Sequence, residues 1–181
     1  MLEGLLKNKR IAFLVENGFE EEELTRPKRA LAEMGAITHI ISPEKDKVKA
    51  WDHTDWGDEY VVDVHVSEAR IDDYDALVLP GGVINPDKLR RNDKAVEFAR
   101  DFMKSNKIVA AICHGGQTLI ETGAVKGRKM TSFPSIKTDL INAGAKWEDR
   151  EVIIDGNLIT SRKPDDIPAF TNRIATLLAG G

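Results

Sequence analysis

The chain has one cysteine in 181 residues, Cys113. No internal disulfide can form, so the fold rests on its core alone. No stretch approaches the roughly 20 apolar residues of a membrane span. Basic residues do not dominate: 26 Lys and Arg face 30 Asp and Glu, for a net charge of −4. That balance gives no electrostatic reason to expect nucleic acid or an anionic membrane as partner. The apolar stretch within Met1 to Arg10 is too short for a signal peptide, and a lone cysteine suits a reducing, cytoplasmic setting. Histidine is scarce as well: His39, His53, His65 and His114 are the four present. None follows His114, which excludes hydrolases whose cysteine precedes a distant histidine, such as papain-like proteases and amidotransferases of the Cys…His-x-Glu order. No histidine spacing suits a metal, so neither metal nor cofactor is expected. No repeat, low-complexity tract or linker divides the chain, and the length fits one domain over 1–181 with a short extension at 1–8.

What is present alternates between two patterns. Continuous apolar runs at Ile11 to Val15, Ile37 to Ile41, Ala76 to Leu79 and Ile108 to Ile112 read as buried strands. Between them, Phe19 to Met34, Asp93 to Lys104 and Ile167 to Leu178 carry apolar residues at helical spacing. Pro27 is expected in the first turns of its helix, where its missing donor costs least. Lys47 to Val66 reads as short strands around the loop His53-Thr-Asp-Trp-Gly57, and Ser135 is a candidate cap for a helix through Ala143. A hairpin is expected around Asp155-Gly-Asn157. Strands alternating with helices predict a mostly parallel sheet covered on both faces, with ligands at the carboxyl ends of its strands. Three such ends carry unusual residues: Glu16 to Glu23, Pro80-Gly-Gly82 and Cys113-His-Gly-Gly116. They are expected to converge.

Cys113 lies between a strand and a helix start, with Ala111 and Gly115 two residues to either side. Small neighbours of this kind suit a nucleophile elbow, in which the backbone folds sharply beneath the reactive side chain. A helix N-terminus also directs N–H groups at the sulfur and favours thiolate. The plain alternative is a buried structural cysteine. His114 is the candidate base. His39 reads as a core residue and His65 as a solvent-face strand residue, while His53 could line a pocket. Glu20 to Glu23 has a plain explanation in the helix dipole. Glu23, on the same face as Glu20, has a second. A carboxyl aimed at a thiol favours thiolate only when protonated and donating to sulfur, so that the pair shares a proton. Gly81 and Gly82 form either a simple turn or an oxyanion hole, in which a Gly82 N–H and the N–H after Cys113 act together.

Taken together, Asn17-Gly-Phe-Glu-Glu-Glu-Glu-Leu24, Leu79-Pro-Gly-Gly82, Ala110-Ala-Ile-Cys-His-Gly115 and Thr160-Ser-Arg-Lys-Pro-Asp-Asp166 resemble the ThiJ/PfpI superfamily. Trp51-Asp-His-Thr-Asp-Trp-Gly57 looks like its bacterial general-stress branch. The resemblance runs from Lys9 to about Leu178. It implies a flavodoxin-like three-layer α/β sandwich with Cys113 as nucleophile, Glu23 as its carboxyl partner, His114 as the residue after it and Gly82 at the oxyanion position. It also implies a homodimer or higher homo-oligomer, in which Asp87 would reach the histidine across a subunit interface. His53, Trp56 and Arg162 are the pocket candidates. The activity implied is that of a cysteine-dependent stress-response hydrolase, acting on glyoxal-derived adducts or on peptides. The alternative is a redox-sensing or chaperone-like protein that uses oxidation of Cys113.

Overall fold

The computed structural model describes residues 4–180. Residues 1–3 of the expected extension, and Gly181, lie outside the described residues. The rest of that extension is packed rather than loose: Leu6 is fully buried and its N–H bonds to Met34 O at 2.8 Å.

In chain order the elements are β1 (Arg10–Leu14), β2 (Phe19–Glu20), α1 (Glu21–Glu33), β3 (Ile37–Ser42), β4 (Lys47–Asp52), β5 (Asp55–Val61), β6 (Val64–His65) and β7 (Ala76–Leu79). There follow α2 (Ile84–Leu89), α3 (Asp93–Lys104), β8 (Ile108–Ile112), α4 (Gly116–Glu121), β9 (Lys129–Met130), α5 (Lys137–Asn142), β10 (Lys146–Trp147), β11 (Val152–Asp155), β12 (Leu158–Ser161) and α6 (Ile167–Ala179).

A seven-stranded sheet in the order β11-β12-β8-β7-β1-β3-β6 forms the middle layer. Its pairs are parallel except β11 with β12, the expected hairpin. The apolar runs of β1, β7 and β8 are continuous because both faces of the sheet are covered. Along β8, Ile108, Ala110 and Ile112 face Leu24 and Leu31 of α1 and Phe170 and Ile174 of α6. Val109 and Ala111 face the other way, toward Phe98 and Phe102 of α3, Leu119 of α4 and Leu140 of α5. Each large side chain buried on these faces stabilises the fold by about 1.5–3 kcal/mol relative to exposure. The result is the three-layer α/β sandwich expected.

Three local expectations need correction. Phe19 and Glu20 do not begin the helix; they pair with Ala50 and Trp51 of β4, so α1 starts at Glu21 with three carboxylates in its first turn. Lys47 to Val61 is not built around a five-residue loop. It is a hairpin of β4 and β5 with a tight turn at His53-Thr54, and His53 takes the left-handed conformation at φ 54°. Ser135 does not cap the helix; it sits in a short 3-10 turn before α5, and its hydroxyl is committed elsewhere.

Candidate active site

The strand order reverses around β1, which has β7 on one side and β3 on the other, and the carboxyl ends of β1, β7 and β8 meet there. Such a crevice is where open α/β sheets bind ligands. A cavity of about 540 Å³ opens at this point, lined by residues that include Gly18, Glu20, Glu23, Gly82, Cys113 and His114.

Cys113 follows β8 directly with φ 62°, a left-handed conformation that costs a non-glycine residue of order 1–3 kcal/mol. The chain then runs through a 3-10 turn, Cys113–Gly115, directly into α4. Glycine is required beneath this bend, since a Cβ on Gly115 would lie 2.3 Å from Leu79 O. It is required beside it as well. A Cβ on Gly81 would meet Glu23 Oε2 at 2.6 Å, Cys113 Cβ at 2.7 Å and His114 N at 2.8 Å. The two loops therefore touch backbone to backbone, and the Gly82 and His114 N–H groups both reach the sulfur.

Glu23 is fully buried on the first turns of α1. Its Oε2 accepts the Gly81 N–H at 2.7 Å, and its carboxyl interacts with the Cys113 side chain. Its Oε1 is buried with no hydrogen-bond partner among the described residues. Burial pushes the carboxyl up to about 8, outweighing the Gly81 N–H and the thiol, which favour its ionised form. The Cys113 thiol is pushed upward too, first by burial and then by Glu23, and the N–H groups of Gly82 and His114 do not reverse this. The expected bias of the helix N-terminus toward thiolate is thus corrected: at this buried site, desolvation and the facing carboxyl are the larger effects.

The His114 ring turns back beside the sulfur, with Nδ1 3.2 Å from Sγ. Its Nε2 lies 3.0 Å from Ser135 Oγ, and its face stacks on Phe133 at 4.8 Å between centroids. Burial holds the imidazole below its ordinary pKa, hence neutral near pH 7. With Ser135 accepting from Nε2–H, the Nδ1 lone pair faces the thiol.

The rim is different in kind. His53 is mostly exposed, and it bridges Glu22 through Nε2 at 3.1 Å and Glu20 through Nδ1 at 3.5 Å. Ligand atoms of Glu20, Glu22 and His53 lie within 4.8 Å of one another, a group with metal-compatible spacing that the sequence spacing did not suggest. The three residues come together because the β4–β5 turn folds over the N-terminus of α1.

Of the other pocket candidates, Trp56 and Arg162 do not line the cavity. Trp56 packs edge to face on Trp51 at 5.5 Å with Lys49 over its ring, and it is Trp51 that forms the wall. Arg162 is held by both carboxylate oxygens of Asp166, at 2.9 and 3.1 Å, and by Asp149 at 2.9 Å. Pro164 takes the wall position nearby. Asp87 is exposed on α2 and is not a partner of His114 within the chain. Outside the site, His39 bonds Tyr74 Oη at 2.9 Å, and His65 bonds Ser67 and Pro43. Sequence reasoning missed the contacts of Ser135, Phe133 and Asn85. None of the three lies in a recognisable motif.

The fold, the strained cysteine and its carboxyl partner define a class that comparison with known proteins makes specific. Residues 9–177 match the model of the DJ-1/PfpI family, and the chain belongs to that family. It is 45% identical over 169 residues to the deglycase PfpI of Pyrococcus furiosus, covering 93% of this chain and 99% of that one. It is 44% identical over 172 residues to general stress protein 18 of Bacillus subtilis, covering 94% and 98%. Among solved structures, Drosophila melanogaster DJ-1beta superposes with a TM-score of 0.86 at 28% identity, covering 96% of this chain and 91% of that one. No helix among the described residues is long and apolar enough to cross a membrane.

Proposed function

We propose that the chain is a cysteine-dependent hydrolase acting on glyoxal-derived adducts, with Cys113 as nucleophile. The observation that carries this reading is the left-handed Cys113 at the cavity floor, enclosed by Glu23, His114 and two backbone N–H groups. A relative named as a deglycase at 45% identity supports the substrate class.

The chemistry follows from where protons can reside. We infer that Glu23 and Cys113 titrate as a coupled pair, in which burial raises the carboxyl to about 8 and raises the thiol further. The reactive tautomer of the pair carries its proton on Glu23 and its charge on sulfur, where the Gly82 and His114 N–H groups favour it. Where the pair holds both protons, the neutral His114 Nδ1 takes the thiol proton as attack begins. The sulfur bonds to the carbonyl carbon, and the π electron pair moves to oxygen. Gly82 and His114 N–H then turn from sulfur to the new oxyanion. With an acyl substrate the carbon–nitrogen bond next breaks, His114 returns its proton to the leaving amine, and water releases the thioester as an acid. With a glyoxal-derived hemiaminal the same attack gives a hemithioacetal at the adduct carbonyl; the adjacent carbinol then forms its C=O as its C–N bond breaks, and the hydroxyl proton passes to the leaving amine. Trp51, Val83, Ile84, Phe133 and Pro164 supply apolar walls for the rest of the substrate.

Turnover of methylglyoxal-treated amino acids and peptides, beside unmodified peptides and esters, tests this reading with wild type and Cys113→Ser in parallel. Cysteine-dependent release of amine from the adducts supports it; release that persists in Cys113→Ser removes it. A second reading, oxidation of Cys113 to a sulfinate, draws on the same two N–H groups, since they suit any oxyanion at that position. Mass analysis after graded peroxide, without substrate, separates the two.

A further inference from the structure

We propose that Asn85 is the positioning residue of this site: its single carboxamide aims both N–H groups of the Pro80-Gly81-Gly82 turn, one at Glu23 and one at Cys113. The proposal rests on the reading of Cys113 and Glu23 as a working pair, but its primary test needs no substrate.

Asn85 stands in the first turn of the six-residue α2 and is fully buried. Its Nδ2 donates to Pro80 O at 3.0 Å and to Gly81 O at 3.0 Å. Its Oδ1 accepts the Glu16 N–H at 2.7 Å, just beyond the end of β1. A buried asparagine with both ends of its amide engaged can serve only where its neighbours stay fixed.

The consequence follows from peptide planarity. In a trans peptide the C=O of one residue and the N–H of the next lie in one plane and point in opposite directions. Pro80 O and Gly81 N–H belong to one plane, and Gly81 O and Gly82 N–H to the next. By holding Pro80 O, Asn85 turns the Gly81 N–H onto Glu23 Oε2, 2.7 Å away. By holding Gly81 O, it turns the Gly82 N–H onto the Cys113 sulfur. Donation to the carbonyls also polarises both peptides, which strengthens the N–H groups on their far sides. The turn needs such a brace. Gly81 and Gly82 have no side chains to anchor it, and Gly82 is held at φ 78°. Apart from Asn85, Gly81 O receives only the long Glu20 N–H contact at 3.4 Å among the described residues.

The charged groups that face the pair are Glu20 and Glu22 from the start of α1, with His114 beside it. Asn85 bonds none of them. Beside Asn85 itself, the Glu16 carboxylate is 3.7 Å from Lys88 Nζ, and Asn85 takes the Glu16 backbone rather than its carboxylate.

The test is the pH profile of Cys113 alkylation by iodoacetamide in wild type, Asn85→Asp and Asn85→Ser, with thermal melting to establish that each is folded. Asn85→Asp keeps the acceptor for Glu16 and loses the donor. Its reactivity midpoint should move upward by about one pH unit, so that labelling at pH 7 slows about tenfold. Asn85→Ser retains one hydroxyl donor and should fall between the two. With an adduct substrate, kcat should drop while KM stays within about twofold, the pattern of an interaction made only in the transition state. A folded Asn85→Asp chain with the wild-type midpoint and rate would overturn the proposal. Should neither variant fold, the wild type still decides. The Asn85 side-chain NH₂ resonances should be protected from exchange and should shift with the Cys113 titration, whereas free exchange and a flat response overturn the proposal. If alkylation responds to Asn85 while wild type turns over nothing, the hydrolytic reading fails and the positioning role stands.

Discussion

One cavity has two unlike halves. Its floor is made of Glu23 on α1 and of Cys113 and His114 on the turn after β8, all buried and packed so closely that Gly81 and Gly115 admit no Cβ. Its rim is made of exposed groups: His53 between the carboxylates of Glu20 and Glu22, and Val83 at 66% exposure. The floor is fixed by sterics and by buried hydrogen bonds. The rim is held by exposed polar contacts in high dielectric, each worth at most about 1 kcal/mol. In the proposed function, chemistry falls to the floor and substrate choice to the rim and the apolar walls.

Substitutions should divide along this line. The largest effect belongs to Cys113. Cys113→Ala and Cys113→Ser should lower turnover of an adduct substrate by at least about a thousandfold with the fold intact. A rim nucleophile would be revealed by residual activity.

Glu23→Gln should have the next largest effect, on stability. The folded pKa of Glu23, about 8, lies above its unfolded value near 4.5. The native state therefore holds a proton that the unfolded chain releases between those values. Native stability attributable to Glu23 is fully present below pH 4.5 and falls as pH rises toward 8. Glu23→Gln removes this slope. Relative to wild type it should gain about 1.4 kcal/mol per pH unit across that window. Urea unfolding at pH 5, 6.5 and 8 checks this, and parallel curves would remove the buried, protonated carboxyl from the account.

Gly115→Ala should cost on the order of 2–3 kcal/mol, because its Cβ would lie 2.3 Å from Leu79 O, a backbone atom that cannot move aside without β7. Gly116→Ala is the control: its Cβ would find its nearest neighbours, on Leu140 and Met130, at 3.8 Å, so melting should change little.

The smallest effect belongs to the rim. His53→Ala should alter kcat by less than about threefold while changing KM among substrates of different charge. A chelator should leave turnover unchanged. Loss of activity on chelation, restored by a divalent ion and absent in His53→Ala, would move part of the chemistry from floor to rim.

The same division governed what could be read from the sequence. The floor was legible because its residues must be what they are. A lone cysteine after a buried apolar run, small residues around it and a diglycine after a second strand have few other uses. The central strands were legible because burial on both faces leaves unbroken runs such as Ile108 to Ile112. The rim was not. Trp51 and Trp56 pair across β4 and β5, and a register shift between Lys49 and Trp51 breaks the alternation that would tell which of them faces the cavity. α2 went unread because it is six residues long, carries Pro86 and has no side-chain cap, so nothing in the sequence singled out Asn85. Ser135 was legible only as a cap, since its contact with His114 spans 21 residues and follows no local pattern.

At the centre of the floor, Glu23 and Cys113 are proposed to share a proton with the charge on sulfur. The most direct test is the pH dependence of Cys113 alkylation in wild type and in Glu23→Gln. Proton sharing predicts a midpoint that is displaced upward in Glu23→Gln relative to wild type, because the lone buried thiol has lost its proton donor. A midpoint in Glu23→Gln that is unchanged or lower would mean that Glu23 only repels the thiolate, and would contradict the shared proton.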